Sequence, residues 1–217
     1  MKVVNFAEHP SLVSQYLAEM RDINIQSDRL RFRRNLERLG EIMAYEISKE
    51  LPYKTVPVRT PLNVDAQCQV LDTKVVLGTI FRAGVPFHQG FLRYMDNAEN
   101  AFVSAYRKYK EKENFDILIE YLASPNLDGK TLILCDPMLA TGASMELSYK
   151  ALLTKGKPAK VYFASVIASR QAVDYMNSVM PEDSELWVGV IDDVINSHSY
   201  IVPGLGDAGD LAYGTKD

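Results

Sequence analysis

Apolar and polar positions along the chain follow two rhythms. Residues 28–49, DRLRFRRNLERLGEIMAYEISK, place Leu36, Leu39, Met43 and Ile47 on one stripe with a helical period. Arg29, Arg31, Arg33, Arg34 and Arg38 fall mostly on the opposite face. A solvated surface is the expectation for them, and a subunit or anion contact is the alternative. KVVLGTIF (74–81) is instead a continuous apolar run, as a strand covered on both faces requires. VPFHQGFLRYMD then predicts a helix, and NAFVSAYR (100–107) the next strand. TLILCD (131–136) predicts another strand. GASMELSYKALLTKG predicts a helix with Met145, Tyr149, Leu152 and Leu153 on its inner stripe, stopped by Gly156 and Pro158. VYFASVIAS (161–169), RQAVDYMNSVM and ELWVGVID (185–192) continue as strand, helix and strand.

Strands alternating with helices of this length predict an α/β fold, a parallel sheet with helices on both faces. Ligands of such sheets sit at the carboxyl ends of the strands. Functional residues are therefore expected in the turns after residues 81, 107, 136 and 192. TVPVRTPLNV (55–64) reads as an extended arm or edge strand because of its prolines. KYKEKEN (108–114) reads as a charged, mobile loop, and YLASPNLDGK (121–130) carries turn signals.

Composition narrows the class without choosing a function. At 217 residues the chain predicts one domain, with a core able to stand without metals or disulfides. A net charge of −4 argues against a nucleic-acid partner. No stretch approaches the roughly 18 apolar residues of a membrane span, and the N-terminus has no apolar leader, so no membrane partner and a cytoplasmic location are expected. Cys68 and Cys135 read as idle thiols in a reducing compartment. His9, His88 and His198 are scattered, and no carboxylates have metal-ligand spacing, so no protein-built metal site is expected.

The chemistry concentrates in DPMLATGAS (136–144). A buried strand delivers Asp136 to the sheet edge. A loop of small and hydroxyl residues then enters a helix, whose first amides and dipole make a seat for a phosphate. Gly142 lets backbone approach an anion, Thr141 and Ser144 add hydroxyl donors, and Asp136 can accept from a sugar diol. The ligand this predicts is a sugar phosphate. A second glycine-rich stretch, YIVPGLGDAGDLAYGTKD (200–217), spells G-x-G-x-x-G at Gly204, Gly206 and Gly209. It does not open a strand–turn–helix unit in the pattern, so the dinucleotide-binding reading is set aside.

CDPMLATGAS resembles the phosphoribosyl pyrophosphate (PRPP) signature of type I phosphoribosyltransferases, in the form carried by the uracil phosphoribosyltransferase family. The resemblance spans nearly the whole chain. HPSLVSQYLAEMRD and FRRNLERLGEIMAYE are similar to the family's N-terminal segment, and FRAG is similar to its pyrophosphate loop. Tyr106-Arg107 is similar to its strand-end pair, and SYIVPGLGDAGD with YGTK to its uracil-binding tail. It implies a type I phosphoribosyltransferase fold in one domain over 1–217, with a core of about 70–192 and a small hood from the N- and C-terminal segments. It implies PRPP binding by Asp136, Pro137, Met138, Leu139, Ala140, Thr141, Gly142, Ala143 and Ser144, together with Arg82, Arg107 and Asp207. It implies uracil binding by Ile201, Gly206, Asp207 and Ala208, with Arg107, Asp207 and Arg82 as the catalytic set. Asp210 is expected to fix its loop by local hydrogen bonds. The resemblance further implies Mg²⁺ held mainly through PRPP, a homodimer or larger assembly with the 55–64 arm as a contact, and a GTP effector in parts of the family. No residue set in this chain marks a GTP site.

Three positions depart from the family's pattern. Ala143 stands where a second glycine is usual, KYKEKEN is more basic than the usual continuation after Tyr106-Arg107, and YLASP replaces a Lys-Leu-Pro-like ending. They bear on kinetics and regulation more than on the reaction. The alternatives are a phosphoribosyltransferase for another nucleobase and a non-catalytic, nucleotide-sensing or RNA-binding regulator. The Ile201 and Gly206–Ala208 tail opposes the first. The acidic balance and intact Arg82, Arg107 and Asp136 oppose the second.

Overall fold

The computed structural model describes residues 1–111 and 114–216, with the side chains of all of them except 105–118. In chain order the elements are β1 (Lys2–Asn5), α1 (Leu12–Arg21), α2 (Arg29–Ser48), β2 (Tyr53–Arg59), β3 (Asp65–Leu71), β4 (Val75–Phe81) and α3 (Gly84–Tyr94). There follow β5 (Glu99–Glu111), β6 (Asn114–Ala123), β7 (Thr131–Cys135), β8 (Met138–Leu139), α4 (Ala143–Leu152), β9 (Lys160–Ser169) and α5 (Arg170–Val179). The last are β10 (Glu185–Asp192), β11 (Val194–Ile195), β12 (Ile201–Val202) and α6 (Ala208–Tyr213).

The central sheet runs β1-β10-β9-β7-β4-β5-β6, with the short β8 also on β9. All its neighbours are parallel except the antiparallel pair β5–β6. The expected α/β sheet is therefore present, with one antiparallel edge. Side chains alternate faces along each strand, so one strand feeds two cores. Leu77, Ile133 and Cys135 join α1, α2, α3 and α6 on one face, and Val76, Leu132 and Leu134 join α4 and α5 on the other.

The α2 stripe is buried as expected, and Phe32, Asn35 and Gly40 join it. In α4, Met145, Tyr149 and Leu152 are buried, but Leu153 is exposed because it begins a 3₁₀ turn that rotates it off the stripe. Among the α2 arginines, Arg31 pairs with Glu19, Arg34 with Glu37, and Arg38 reaches Asn35. Arg33 departs from the solvated expectation and donates to the Ala212 carbonyl of the C-terminal tail at 2.7 Å. Cys135 is buried, which pushes its thiol pKa well up, and it does not pair with Cys68.

The extended arm or edge strand expected at 55–64 is an edge strand through Arg59, paired in a separate hairpin, β2 against β3. Two other expectations need correction. The core is wider than 70–192, because β1 lies in the central sheet and α2 packs into the main core. The loop expected at 108–114 is strand backbone through 108–111 and from 114 on, because β5 and β6 pair as far as Glu111 and Asn114.

Helices α2 and α3 meet through two glycines. A Cβ on Gly40 would collide with the Phe87 carbonyl oxygen, and one on Gly90 with the Glu37 carbonyl oxygen. Both obstacles are backbone, which cannot swing aside. Alanine favours a helix over glycine by about 1 kcal/mol, but overpacking costs about 1–3 kcal/mol, so the clash wins. Gly90→Ala is expected to lower the unfolding free energy by about 1–2 kcal/mol in urea titration. An unchanged midpoint would mean that the helices can separate freely.

Candidate active site

The carboxyl ends of the central strands lie side by side, with Thr79 of β4 in register with Cys135 of β7, and Cys135 with Ala164 of β9. The DPMLATGAS stretch leaves β7 here and is pinned from β9. The Asp136 amide donates to the Ala164 carbonyl at 3.1 Å, and the Pro137 carbonyl accepts from the amides of Val166 and Ile167 at 3.1 and 3.0 Å. Ser169 Oγ donates to the Ala140 carbonyl at 2.6 Å and accepts the Ala172 amide at 2.9 Å. One hydroxyl thus ties the loop to the start of α5. Met138 and Leu139 form β8, so most of the stretch is held backbone rather than free loop.

Gly142 sits just before α4 with φ +84°, a left-handed value, and a Cβ there would lie 2.8 Å from the Tyr175 ring. Two independent constraints demand glycine. The Tyr175 hydroxyl in turn donates to Glu146 in the first turn of α4 at 2.5 Å. The first helical bond of α4 runs from the Glu146 amide to the Gly142 carbonyl, so the Ser144 and Met145 amides precede it and face the helix entry. The Ala143 amide is taken by Thr141 Oγ1 at 3.4 Å. An anion fits this entry by charge and by donor direction. Ala143 is an ordinary first helical residue, as its sequence position suggests.

Asp136 accepts the Met138 amide at 3.3 Å. Desolvation raises its pKa to about 7, and that one hydrogen bond opposes the rise without cancelling it. No cation is among the causes of the shift. The carboxyl therefore exchanges its proton near neutral pH.

Arg82 leaves β4 beside this loop. The glycine two residues on is explained by packing, since a Cβ on Gly84 would collide with the Thr79 hydroxyl. Arg82 Nη2 donates to Asp210 Oδ1 at 2.7 Å, and Nη1 donates to the Gly214 carbonyl at 3.1 Å. Asp210 is thus no local loop brace; its side chain bonds a residue 128 positions away. Arg107 lies on β5, opposite Ile117 of β6. It is not at a strand end, since β5 continues past the last β4 pairing at Ser104 to Glu111. Its side chain lies outside the described residues.

The C-terminal tail returns over this edge. Asp192, buried at the end of β10, accepts both Nη groups of Arg21 at 2.9 and 2.8 Å and the Gly204 amide at 2.9 Å. Arg21 also donates to the Gly204 carbonyl at 3.2 Å, and Gln26 to the Leu205 carbonyl at 3.1 Å. Gly204 and Gly206 have left-handed φ values of +61° and +92°. Ile201 and Ala208 are buried, Gly206 is exposed, and the Ala208 amide donates to Met138 Sδ at 3.2 Å. Asp207 caps α6 by accepting the Asp210 amide at 2.9 Å. A short helix, α6, does begin within this glycine-rich stretch and includes Gly209, which the pattern did not indicate. The strand before it, β12, pairs antiparallel with β11 and lies outside the parallel sheet, so the unit is not a dinucleotide-binding one.

The structure thus brings together Arg82, Asp136 to Ser144 and the Ile201–Ala208 tail. Arg21, Gln26, Asp192 and Tyr175 escaped sequence reasoning. Only Asp192 carried a signal, as the last residue of a strand at the ligand-bearing edge.

The profile of the uracil phosphoribosyltransferase family matches residues 7–215. The chain is 62% identical over 216 residues to the uracil phosphoribosyltransferase of Porphyromonas gingivalis, covering 100% of both. It is 37% identical over 184 residues to that of Methanothermobacter thermautotrophicus, covering 84% of this chain and 83% of the other. Among solved structures, the AQ2163 protein from Aquifex aeolicus superposes with a TM-score of 0.87 at 29% identity, covering 98% of each chain.

The Asp136 environment has a consequence for stability. Between the ordinary value near 4 and about 7, the native protein holds a proton that the unfolded chain has released, so this residue weakens the fold as pH rises through that window. Asp136→Asn keeps the acceptor without the charge. It is expected to gain about 1–3 kcal/mol over the native chain at pH 8 and almost nothing at pH 4, from urea unfolding at both. An equal difference at both pH values would place the carboxyl in a water-like setting.

Proposed function

The chain belongs to the uracil phosphoribosyltransferase family, and from that premise we propose that it joins uracil to PRPP, giving UMP and pyrophosphate in pyrimidine salvage. The observation that carries the reading is the meeting of three chemically different parts at one sheet edge. These are the phosphate seat entered at Gly142, the Asp136 carboxyl and the tail tied to Arg82.

The roles follow from the chemistry of PRPP. Thr141 to Ser144 take the 5-phosphate on hydroxyls and helix-entry amides. Asp136 accepts from the 2,3-diol, and Pro137 to Ala140 hold these two ends of the loop at a fixed spacing. Arg82 and Arg107 flank the pyrophosphate, because a guanidinium stays charged and meets phosphate oxygens in a fork. Gly206, Asp207 and Ala208 face the edge of uracil, backed by Ile201. A thioether is a weak acceptor, so the Ala208 amide can turn from Met138 to a uracil carbonyl at small cost.

In the reaction the bond from the anomeric carbon to the pyrophosphate oxygen breaks. Uracil N1 bonds to that carbon and loses its proton, and the oxygen leaves with the electron pair. The chain's part is to hold base and sugar in line and to meet the charge on the departing group with arginine and backbone dipoles. Asp207 receives or orients the N1 proton, since its carboxylate stands in the tail beside the base position. Phosphoribosyltransferases generally work with Mg²⁺ on PRPP. Such an ion would be held mainly through PRPP, where it would supply positive charge to the phosphate oxygens.

A homodimer or larger assembly belongs to the same proposal, with the β2–β3 hairpin as contact, because it exposes Val58, Leu62 and Val64. So do a cytoplasmic location and GTP as an effector. Among the described residues no helix is long and apolar enough to cross a membrane.

The deciding assay is pyrophosphate release from PRPP with uracil, cytosine, hypoxanthine or orotate, with and without GTP. Release with uracil alone is expected, and none with uracil across a range of Mg²⁺ would overturn the proposal. Arg107→Ala is expected to lower turnover at least about tenfold, near 1.4 kcal/mol in the barrier. Asp207→Asn is expected to lower it and to change the pH profile; full turnover with the native profile would remove Asp207 from proton handling.

A further inference from the structure

The contact between Arg82 and the tail has no counterpart in a reading that gives Arg82 only to pyrophosphate. Its guanidinium is held at three points. Asp210 Oδ1 and the Gly214 carbonyl each take one N–H, and Gly209 lies against the group, its absent Cβ falling 3.2 Å from Nη2. Asp210 and Gly214 stand at the first turn and the end of α6, while Gly206 to Ala208 lead into it. The whole of α6 is thus referenced to one arginine on the β4–α3 turn. Both partners of the ion pair are about one-third exposed, 37% and 30%. Such a pair contributes little to stability, so its worth lies in geometry.

A guanidinium carries five N–H groups. Two go to the tail, and three remain for an anion at the sheet edge. Fixing the arginine by either route removes the freedom that the other would have to remove. From this, and resting on the function proposed above, the geometry points to Asp210 as a positioning residue that couples the two substrate sites through Arg82. Pyrophosphate on Arg82 orders the tail that receives uracil, and uracil in the tail orders Arg82 for pyrophosphate. The Arg33 bond to the Ala212 carbonyl anchors the same helix from α2, so the coupling moves α6 against a fixed support. By linkage the two effects are equal in size.

The test is calorimetric titration of uracil into the full chain with Mg²⁺, with and without saturating pyrophosphate, and the reciprocal titration. In the native chain each ligand is expected to tighten the other by at least about fivefold. In Asp210→Asn the factor should fall below about twofold, with the thermal midpoint within about 2 °C of native, as a partly exposed pair allows. Gly209→Ala crowds the guanidinium, and Asp207 Oδ1 beside it, by a few tenths of an ångström without changing any charge and should weaken the coupling; it serves also if Asp210→Asn fails to fold. Equal uracil affinity with and without pyrophosphate in the native chain would overturn the inference, as would full coupling in either folded variant. A native chain that makes no UMP would instead sink the proposed function, so the two failures are distinct.

Discussion

The ligand-facing edge depends on one buried carboxylate. Asp192 ends β10 where the sheet stops, and it is satisfied by both arms of Arg21 and by the Gly204 amide. A buried charge left without partners costs several kcal/mol, so neither partner is dispensable. Arg21 comes from α1 and Gly204 from the tail. The two termini, 183 residues apart at this contact, are therefore tied to one strand end. The tail's course over the 136–144 loop, and its reach to Arg82, start from that point. The hood implied by the family resemblance is less a separate lobe than a return of the chain onto this anchor, since α1 and α2 also pack into the main core.

Asp136 ends a neighbouring route and is treated oppositely. It has one backbone donor, and burial drives its pKa to about 7. Asp192 is a brace, whereas Asp136 accepts a single amide and stands beside the free amides of a helix entry. A raised carboxyl at the carboxyl edge of a parallel sheet is the kind of group that ligand sites use.

What was legible in the sequence was whatever one element could write by itself. The α2 stripe, the apolar runs of β4, β7, β9 and β10, and the DPMLATGAS loop each carry their own period or punctuation. Segments stabilised by distant partners were not legible. β3 (DAQCQVL) alternates only weak apolar residues on an exposed ribbon, and it is a strand because β2 lies beside it. β6 and the far part of β5 extend each other across a charged stretch that reads as loop. The helix α6 is six residues long with a glycine at its second position; its order comes from the Asp207 cap and from Arg33 and Arg82 on carbonyls at its end. Within the candidate site, the 136–144 loop was readable because its hydroxyls and helix-entry amides are consecutive. Arg21, Gln26 and Tyr175 were not, because nothing local distinguishes an arginine, a glutamine or a tyrosine that serves a loop far away in sequence.

The tail's glycines show why motif spelling misleads where geometry does not. Gly204 and Gly206 are glycines for their left-handed backbone, and Gly204 also because a Cβ would strike the Ile201 carbonyl. Gly209 has an ordinary helical backbone, and a Cβ there would crowd Asp207 Oδ1 at 3.1 Å and Arg82 Nη2 at 3.2 Å. Three glycines in the spacing of a dinucleotide fingerprint thus answer backbone conformation at two positions and side-chain crowding at the third. The crowding at Gly209 is the informative constraint. Keeping a side chain off Gly209 leaves room for Arg82, at the end of β4, to reach Asp210 and the Gly214 carbonyl, and that reach ties α6 to the edge of the sheet.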